Sequence, residues 1–194
     1  MQDTLGIKKE LERKLIHLST SIIPIMYFFI NADREQIIFL CVFISIGFLA
    51  VDLLRFLSGF AEKHFLRIFS KLLRTAEYKT DLTGATYLFI GLSISVILFP
   101  REVAIPAMLF LTIADPFAAV AGKTMGLKRI FNKSLGGFIA FFMTASLISL
   151  VFTSLGLLGV VIAFLTAIVE IVPIKINDNL SIPVFSGYLI YLLR

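Results

Sequence analysis

Long blocks of apolar residues alternate with short polar connectors along almost the whole chain. Seven blocks approach the length of a membrane-spanning helix, which needs roughly 20 apolar residues, or about 17 at the short end. They cover residues 15–30, 37–54, 82–99, 103–121, 135–155, 157–171 and 180–193. The pattern predicts an all-α, polytopic membrane helical bundle with about seven transmembrane helices. The sixth and seventh blocks are short, so a count of six or eight helices is also compatible with the sequence.

One connector has a helical pattern of its own. Between residues 60 and 79, cations recur at helical spacing on one side and apolar residues on the other, as follows: Lys63, Arg67, Lys71 and Arg74 against Phe65, Leu66, Phe69, Leu72 and Leu73. This pattern predicts an amphipathic helix that lies on the membrane surface with its cations among anionic headgroups. A surface helix with no further duty and a helix that steers phosphates both fit the pattern.

The composition supports the membrane class. Of the 194 residues, 58% are hydrophobic and 16% are charged, and the mean hydropathy is +0.96, whereas soluble domains are about 45–50% apolar and about 25% charged. The single cysteine, Cys41, excludes an intramolecular disulfide framework. The polar N-terminus lacks the apolar core and cleavage site of a signal peptide. We expect one integral membrane domain, residues 1–194, with the lipid bilayer and no nucleic acid as a partner; a homodimer is compatible with a bundle of this size.

The distribution of cations predicts the orientation of the bundle. If the N-terminus is cytoplasmic, all of the 18 Lys and Arg residues except Arg34, Arg101 and Arg194 lie on the cytoplasmic side. Such an excess is the pattern that membrane proteins show on their cytoplasmic side. We therefore expect a multi-pass protein of the inner, or cytoplasmic, membrane with a cytoplasmic N-terminus and its active site on the cytoplasmic face.

Asp115 lies near the end of the fourth apolar block and is followed at once by Pro116. An ionised carboxylate at membrane depth costs at least a few kcal/mol, so it is retained only with a partner. The connector after it contains glycines and the cations Lys123, Lys128, Arg129 and Lys133. An acid followed by a basic, glycine-containing connector indicates a site for a metal and a polyphosphate. A carboxylate that only bonds a neighbouring helix is the simpler alternative.

The other chemically active residues also fall on the predicted cytoplasmic connectors, in clusters around residues 10–17, 81–87 and 170–183. Asp115 and Asp178 are suited to share Mg²⁺, which prefers hard oxygen ligands and substrate phosphates. Lys133 together with Lys123, Lys128 or Arg129 is suited to neutralise nucleotide phosphates. Each feature has a plainer explanation: topogenic cations, an interfacial His17, and a turn at residues 177–179. Their placement on one face favours a functional site.

Five motifs, taken in order, resemble the group of dolichol kinases, phytol or polyprenol kinases and CTP-dependent diacylglycerol kinases, which is related to the phosphatidate cytidylyltransferases. The motifs are Arg13-Lys14-x-x-His17, Thr83-Gly84-Ala85-Thr86-Tyr87, Ala114-Asp115-Pro116-x-Ala118-Ala119-x-x-Gly122-Lys123-x-x-Gly126, Lys133-Ser134, and Asp178-Asn179-Leu180-x-Ile182-Pro183. The resemblance implies transfer of the γ-phosphoryl group of CTP to the hydroxyl of a membrane lipid alcohol, with Mg²⁺ or Mn²⁺ as cofactor. The lipid would be a polyprenol or dolichol, phytol or geranylgeraniol, or diacylglycerol.

The motifs and cations together define the candidate site residues. The catalytic candidates are Asp115, Asp178, Lys133 and His17, with His17 and Asp178 as alternative proton acceptors. The nucleotide-binding candidates are Gly122, Lys123, Gly126, Lys128, Arg129, Lys133, Ser134 and Asn179. The metal-binding candidates are Asp115, Asp178 and Glu170. The candidates for substrate binding or an interface are Arg13, Lys14, Thr83, Gly84, Thr86 and Tyr87.

The sequence departs from the group at one position and leaves two other functions open. Gly136 stands where the group usually has a glutamate. If that glutamate helps to hold the metal, either Glu170 substitutes for it or the site is weaker. The cytidylyltransferases have a His-Gly-Gly…Asp-Arg motif where this chain has Asn177-Asp178-Asn179, which favours a kinase over a CDP-lipid synthase. A non-enzymatic transporter or lipid-binding protein would explain Asp115, but it would not explain cations and glycines gathered on one face.

Overall fold

The computed structural model describes residues 2–30, 32–70, 72–73, 76–78, 81–131 and 133–194, with side chains from residue 10 onward. It is almost entirely helical. The helices are α1 (Gln2–Ser19), α2 (Ile22–Phe29), α3 (Arg34–Leu57), α4 (Gly59–Phe69), α5 (Gly84–Leu98), α6 (Arg101–Leu109), α7 (Asp115–Thr124), α8 (Leu135–Phe152), α9 (Leu157–Ile171) and α10 (Asp178–Leu193). Ala76–Tyr78 form a short 3-10 turn, and β1 (Arg129–Ile130) pairs antiparallel with β2 (Lys133–Ser134).

Among the described residues, three helices are long and apolar enough to cross a membrane by length and composition: Arg34–Leu57, Arg101–Thr124 and Leu135–Phe152. Gly84–Leu98 and Leu157–Ile171 are shorter apolar helices. The all-α prediction is therefore confirmed, and the count of seven spans stays a prediction. Rows of exposed apolar side chains, such as Phe39, Phe43 and Ile46 on α3, face outward. An exposed apolar surface of this extent is expected where a protein contacts lipid.

The helix from Arg101 to Thr124 is the centre of the bundle. In its most apolar window 78% of the residues are buried, against 17% for α3 and 39% for α8. Its middle, Phe110–Ala114, is π-helical and joins α6 to α7. Pro116 has no backbone N–H to donate, and its ring would clash with the carbonyl four residues earlier in a regular α-helix. The wider π turn accommodates this proline, and it ends at Asp115; such π turns occur often at functional sites.

The composition of the first apolar block predicted a single helix. The structure instead has two helices there. α1 ends at Ser19 and α2 begins at Ile22. The Ser19 hydroxyl donates to the Ile16 carbonyl and the Thr20 hydroxyl to the His17 carbonyl, both at 2.6 Å. These bonds satisfy carbonyls of the last turn that a helix end leaves without partners. The break leaves the last turn of α1, with His17, beside the central helix.

The predicted amphipathic helix is confirmed in part. α4 begins at Gly59 and has no fully buried residue, but it ends at Phe69 and not near residue 79. Lys63 and Arg67 are exposed on it, while Phe65 and Phe69 line a cavity. Lys71, Arg74 and Lys79 lie outside the described residues, as do the side chains of Lys8 and Lys9.

Two of the three cations predicted on the outer side contact helix ends. Arg34 donates from Nε to the Val96 carbonyl at 3.0 Å and from Nη2 to the Ile97 carbonyl at 2.7 Å. Arg101 Nη2 donates to the carbonyls of Tyr27 and Phe28 at 2.8 and 3.0 Å. Cations are favourable at helix C-termini, where carbonyls lack intrahelical partners. These arginines therefore have a structural role at their end of the bundle.

Candidate functional site

A cavity of about 640 Å³ lies between α1, α3, α4, α5, the central helix and the start of α10. Its polar part brings together residues from four of the five motifs, all except Lys133-Ser134. The polar and glycine residues that line it are Arg13, Lys14, His17, Thr20, Asp52, Glu77, Asp81, Thr83, Gly84, Tyr87, Asp115, Lys175, Asn177, Asp178 and Asn179. The predicted convergence of the connectors is thus seen in the structure for the clusters at 13–17, 81–87, 115 and 177–179.

Asp115 is buried, with 5% of its surface exposed. Lys14 Nζ donates to its Oδ2, and His17 Nδ1 lies 3.6 Å from the same oxygen. Lys14 and His17 lie on adjacent turns of one face of α1, so this helix supplies both partners of the carboxylate. Leaving either charge of a buried pair without its partner is strongly unfavourable. This contact explains how a carboxylate is retained in an otherwise apolar helix.

A second charged cluster joins Lys133, Glu170 and Asp178, which come from β2, α9 and α10. Lys133 Nζ donates to Glu170 Oε1 at 2.7 Å and to Asp178 Oδ2 at 2.8 Å, and it also contacts the Glu170 carbonyl. Burial lowers the pKa of Lys133, but the carboxylates of Glu170 and Asp178 outweigh burial and raise its pKa above the ordinary value. Lys133 is therefore charged at neutral pH and reaches Asp178 at the edge of the cavity.

The three metal-binding candidates do not form a preassembled metal site. No group of three or more His, Cys, Asp or Glu side chains lies close enough to hold a metal ion in the described part of the chain. The buried Glu170 Oε2 nevertheless has no hydrogen-bond partner there, and the charges of Asp115 and Asp178 both act on Glu170. Gly136 packs closely under Met125. A Cβ added to Gly136 would lie only 3.1 Å from the Met125 Cβ. Replacement of the carboxylate that Gly136 lacks by Glu170 stays a prediction; hard oxygen donors of this kind suit Mg²⁺.

Asp52 and Arg55, three residues apart on α3, form a buried ion pair, with Arg55 Nε donating to Asp52 Oδ1 at 2.8 Å. The pair also fixes the start of α5. Asp52 Oδ2 accepts from the Thr83 backbone N–H at 2.8 Å, the Thr83 hydroxyl at 3.1 Å and the Thr86 hydroxyl at 2.6 Å. Thr86 is fully buried and does not line the cavity, so its contacts are structural. Thr83 caps α5 and also lines the cavity.

Glu77 is a site residue that the sequence analysis missed. Its Oε1 accepts from Arg13 Nη2 at 3.3 Å and from the Gly84 backbone N–H at 3.1 Å. Asn179 Nδ2 donates to the Gly84 carbonyl at 2.9 Å, so these contacts join α1, α5 and α10 at the cavity. A lone glutamate in a basic connector carries no motif that would have singled it out. Lys175, taken only as a topogenic cation, also lines the cavity.

The remaining nucleotide-binding candidates lie beside the cavity and do not line it. Lys123 is exposed at the end of α7, Lys128 in the connector before β1, and Arg129 on β1. Ser134 is buried, and its hydroxyl accepts from the Gly137 N–H at 3.1 Å to cap α8. A Cβ on Gly122 would lie 2.8 Å from that hydroxyl, and Gly126 has a φ of +59°. Glycine is therefore required at both positions by close packing and by a left-handed turn.

The chain has relatives among known proteins. An uncharacterized protein of Rickettsia prowazekii is 35% identical to it over 184 residues, which are 90% of this chain and 89% of that protein. A CTP-dependent diacylglycerol kinase of Schizosaccharomyces pombe is 28% identical over 209 residues, covering 96% of this chain and 94% of that kinase. A probable chloroplastic phytol kinase of Glycine max is 29% identical over 149 residues, covering 66% and 51%.

No family model matches the chain, and no solved structure matches it significantly. A further CTP-dependent diacylglycerol kinase, from Saccharomyces cerevisiae, is 25% identical over 93% of this chain. The resemblance drawn from the five motifs is therefore confirmed by relatives that cover nearly the whole chain. The chain is therefore related to lipid kinases: over nearly its whole length to CTP-dependent diacylglycerol kinases, and over about two thirds of it to probable phytol kinases.

Proposed function

We propose that this protein transfers the γ-phosphoryl group of CTP to the hydroxyl of a membrane lipid alcohol at the cytoplasmic face. The observation that carries the proposal is the cavity itself. Its polar part contains Lys14, His17, Asp115 and Asp178, and its other walls are apolar. A site that joins charged and apolar walls suits a reaction between a nucleotide from water and an alcohol from the bilayer.

The charge pairs of the cavity support nucleotide binding. Lys14 contacts Asp115, Arg13 contacts Glu77, and Lys133 contacts Asp178. Each pair offers one group suited to a phosphate and one suited to a cation. We propose that binding of CTP re-pairs them, so that Lys14, Arg13 and Lys133 contact phosphate oxygens. Asp115, Asp178 and Glu170 would hold Mg²⁺, which when bound supplies neutralisation of the polyphosphate charge.

The transfer needs positioning and charge stabilisation more than covalent assistance. The lipid hydroxyl oxygen forms a bond to the γ-phosphorus, the bond from that phosphorus to the β,γ-bridging oxygen breaks, and CDP leaves with the electron pair. We assign the hydroxyl proton to His17. Its Nδ1 lies 3.6 Å from Asp115 Oδ2, so the carboxylate would stabilise the imidazolium that forms. Lys133 would stabilise charge that spreads over the transferred group.

The test uses purified protein in phosphatidylcholine vesicles with Mg²⁺ and a panel of lipid alcohols plus phosphatidate. Parallel reactions contain CTP labelled on the γ- or on the α-phosphate. Label from the γ position in a lipid alcohol supports the proposal, and the panel identifies the acceptor. Label from the α position in phosphatidate would instead establish a CDP-lipid synthase. Label from γ-ATP and not from CTP would correct the donor.

A further inference from the structure

The apolar walls of the cavity form an arm, and the proposed function leaves the residues of this arm without individual roles. The arm is lined by Phe48 and Val51 of α3, Phe65 and Phe69 of α4, and Phe89 of α5. The polar part, by contrast, is lined chiefly by α1, the central helix and the start of α10. The two parts are one continuous cavity. An apolar arm attached to a charged site indicates a ligand with a long hydrocarbon portion and a polar end.

The side chains of α3 show how the lining changes along the cavity. Phe48 precedes Asp52 by one helical turn, so both face the same side of α3, separated by roughly 6 Å along its axis. Asp52 is the polar residue near the cytoplasmic end that fixes Thr83, and Phe48 lies toward the middle of the helix. Phe48 stacks on Phe89, with ring centroids 5.2 Å apart and planes at 11°. The arm thus extends from the polar site toward the predicted depth of the hydrocarbon.

The arm is also accessible at its side. Phe69 and Val51 line it and are 42% and 43% exposed, and Ile16 of α1, which lines the adjoining part of the cavity, is 52% exposed. α4 has no fully buried residue, so it covers the arm without being part of the core. Its cations Lys63 and Arg67 are exposed, whereas Phe65 and Phe69 face the cavity. This arrangement suits an interfacial helix that rests on the tail of a bound lipid.

We propose that the arm formed by Phe48, Val51, Phe65, Phe69 and Phe89 binds the hydrocarbon tail of the acceptor alcohol, which enters sideways from the bilayer between α1 and the α3–α4 pair. The assignment rests on the proposed function for the identity of the acceptor. It goes beyond that function because it names the residues that select the tail. Phe48 and Phe89 form the inner wall, and Phe65 and Phe69 form the cover.

A photolabelling experiment tests the tail site without requiring turnover. The full chain in phosphatidylcholine vesicles, without nucleotide, is irradiated with either of two probes: a long-chain isoprenoid alcohol or a diacylglycerol, each with a diazirine in its tail. We expect labelling of residues 48–51 and 65–69 that the matching unlabelled alcohol competes and excess phosphatidylcholine does not. The probe that labels these residues identifies the type of hydrocarbon tail that the site binds. Label spread over outward residues such as Phe43, without competition, would overturn the proposal.

Kinetics with two variants of α4 give an independent test. Phe69→Ala should raise the apparent KM for the alcohol about tenfold, because a phenyl ring no longer contacts the tail, and leave the KM for CTP unchanged. Phe60→Ala is the matched control, because Phe60 lies on the same helix, is 81% exposed and does not line the cavity. An unchanged KM for the alcohol in Phe69→Ala would contradict the tail site. Competed labelling in a protein that transfers no γ-phosphate would retain the tail site and reject the kinase reaction.

Discussion

At the end of the bundle where α3 and α6 begin, Arg34 and Arg101 donate hydrogen bonds to backbone carbonyls. At the cavity end, Lys14 and Lys133 contact the carboxylates of Asp115, Glu170 and Asp178. A carbonyl at a helix end is a fixed partner that no ligand replaces. A carboxylate can exchange its ammonium partner for a metal ion, and the ammonium can then contact a phosphate. The cations at one end of this small bundle therefore serve structure, and we propose that those at the other end are available for chemistry.

The largest effect is expected where a charge pair lies inside the central helix. Asp115→Asn should lower turnover by about a thousandfold or more, because it removes a charge that the transfer of a phosphoryl group requires. It should also lower the melting temperature, since the partly buried Lys14 loses its partner. The double variant Lys14→Met/Asp115→Asn should recover the melting temperature and remain inactive. Recovery of activity in the double variant would make the pair purely structural.

A substitution in the second charged cluster, Lys133 with Glu170 and Asp178, should lower activity less than the change at Asp115. Lys133→Met should lower kcat/KM by about a hundredfold, the scale of losing one group that stabilises transition-state charge. Lys63→Met is the control, since Lys63 is exposed on α4 and does not line the cavity. Rates are compared with the amount of folded protein measured by size-exclusion chromatography. Equal losses in both variants would show that general surface charge, and not the cluster, matters.

Metal binding should depend on Glu170, which we propose as the replacement for the carboxylate absent at Gly136. Chelation with EDTA should stop turnover, and Mg²⁺ should restore it. In the wild type, the equilibrium affinity for CTP should rise about tenfold when Mg²⁺ is added. A change of this size is comparable with the loss of metal affinity when a residue around a metal site is altered. Glu170→Gln should lose most of this tightening while binding metal-free CTP as before. The same Mg²⁺ dependence in the variant would exclude Glu170 as a ligand.

The smallest effect is expected at the opposite end of the bundle. Arg34→Gln removes donors from the Val96 and Ile97 carbonyls and should lower stability by about 0.5–1 kcal/mol, as for other cations at helix ends. Turnover per folded molecule should not change. Thermal unfolding and the kinase assay on the same sample measure both quantities. A tenfold loss of turnover at unchanged stability would contradict the claim that Arg34 has only a structural role.

Helix positions were predictable wherever the apolar pattern ended at a polar residue or a helix-breaking turn. The block 157–171 coincides with α9, and the last block differs from α10 only at its start. The break between Ser19 and Ile22 was not predictable, because the apolar pattern continues through it and hydroxyl bonds to backbone carbonyls terminate the helix. The π turn before Asp115 likewise depends on packing around Pro116 in the centre of the bundle.

The site was predictable in part for a similar reason. Lys14, His17, Asp115 and Asp178 stand out because charged residues next to apolar blocks are unusual, and the structure brings them to one cavity. Lys128 and Arg129 looked equivalent to Lys133 in the sequence, yet only Lys133 reaches Asp178. Glu77 could not be predicted, since its importance comes from its contacts with Arg13 and Gly84. Arg13 is far away in the sequence, and no sequence motif links Glu77 to Gly84.

The most direct test of the central claim compares wild type and the Lys14→Met/Asp115→Asn double variant in vesicles that contain lipid alcohol, Mg²⁺ and γ-labelled CTP. The account predicts labelled lipid phosphate from the wild type and none above background from a double variant that melts at the wild-type temperature. Equal labelling from both proteins would place the chemistry elsewhere, and an absence of labelled lipid from the wild type with every alcohol and with both CTP and ATP would contradict the kinase assignment itself.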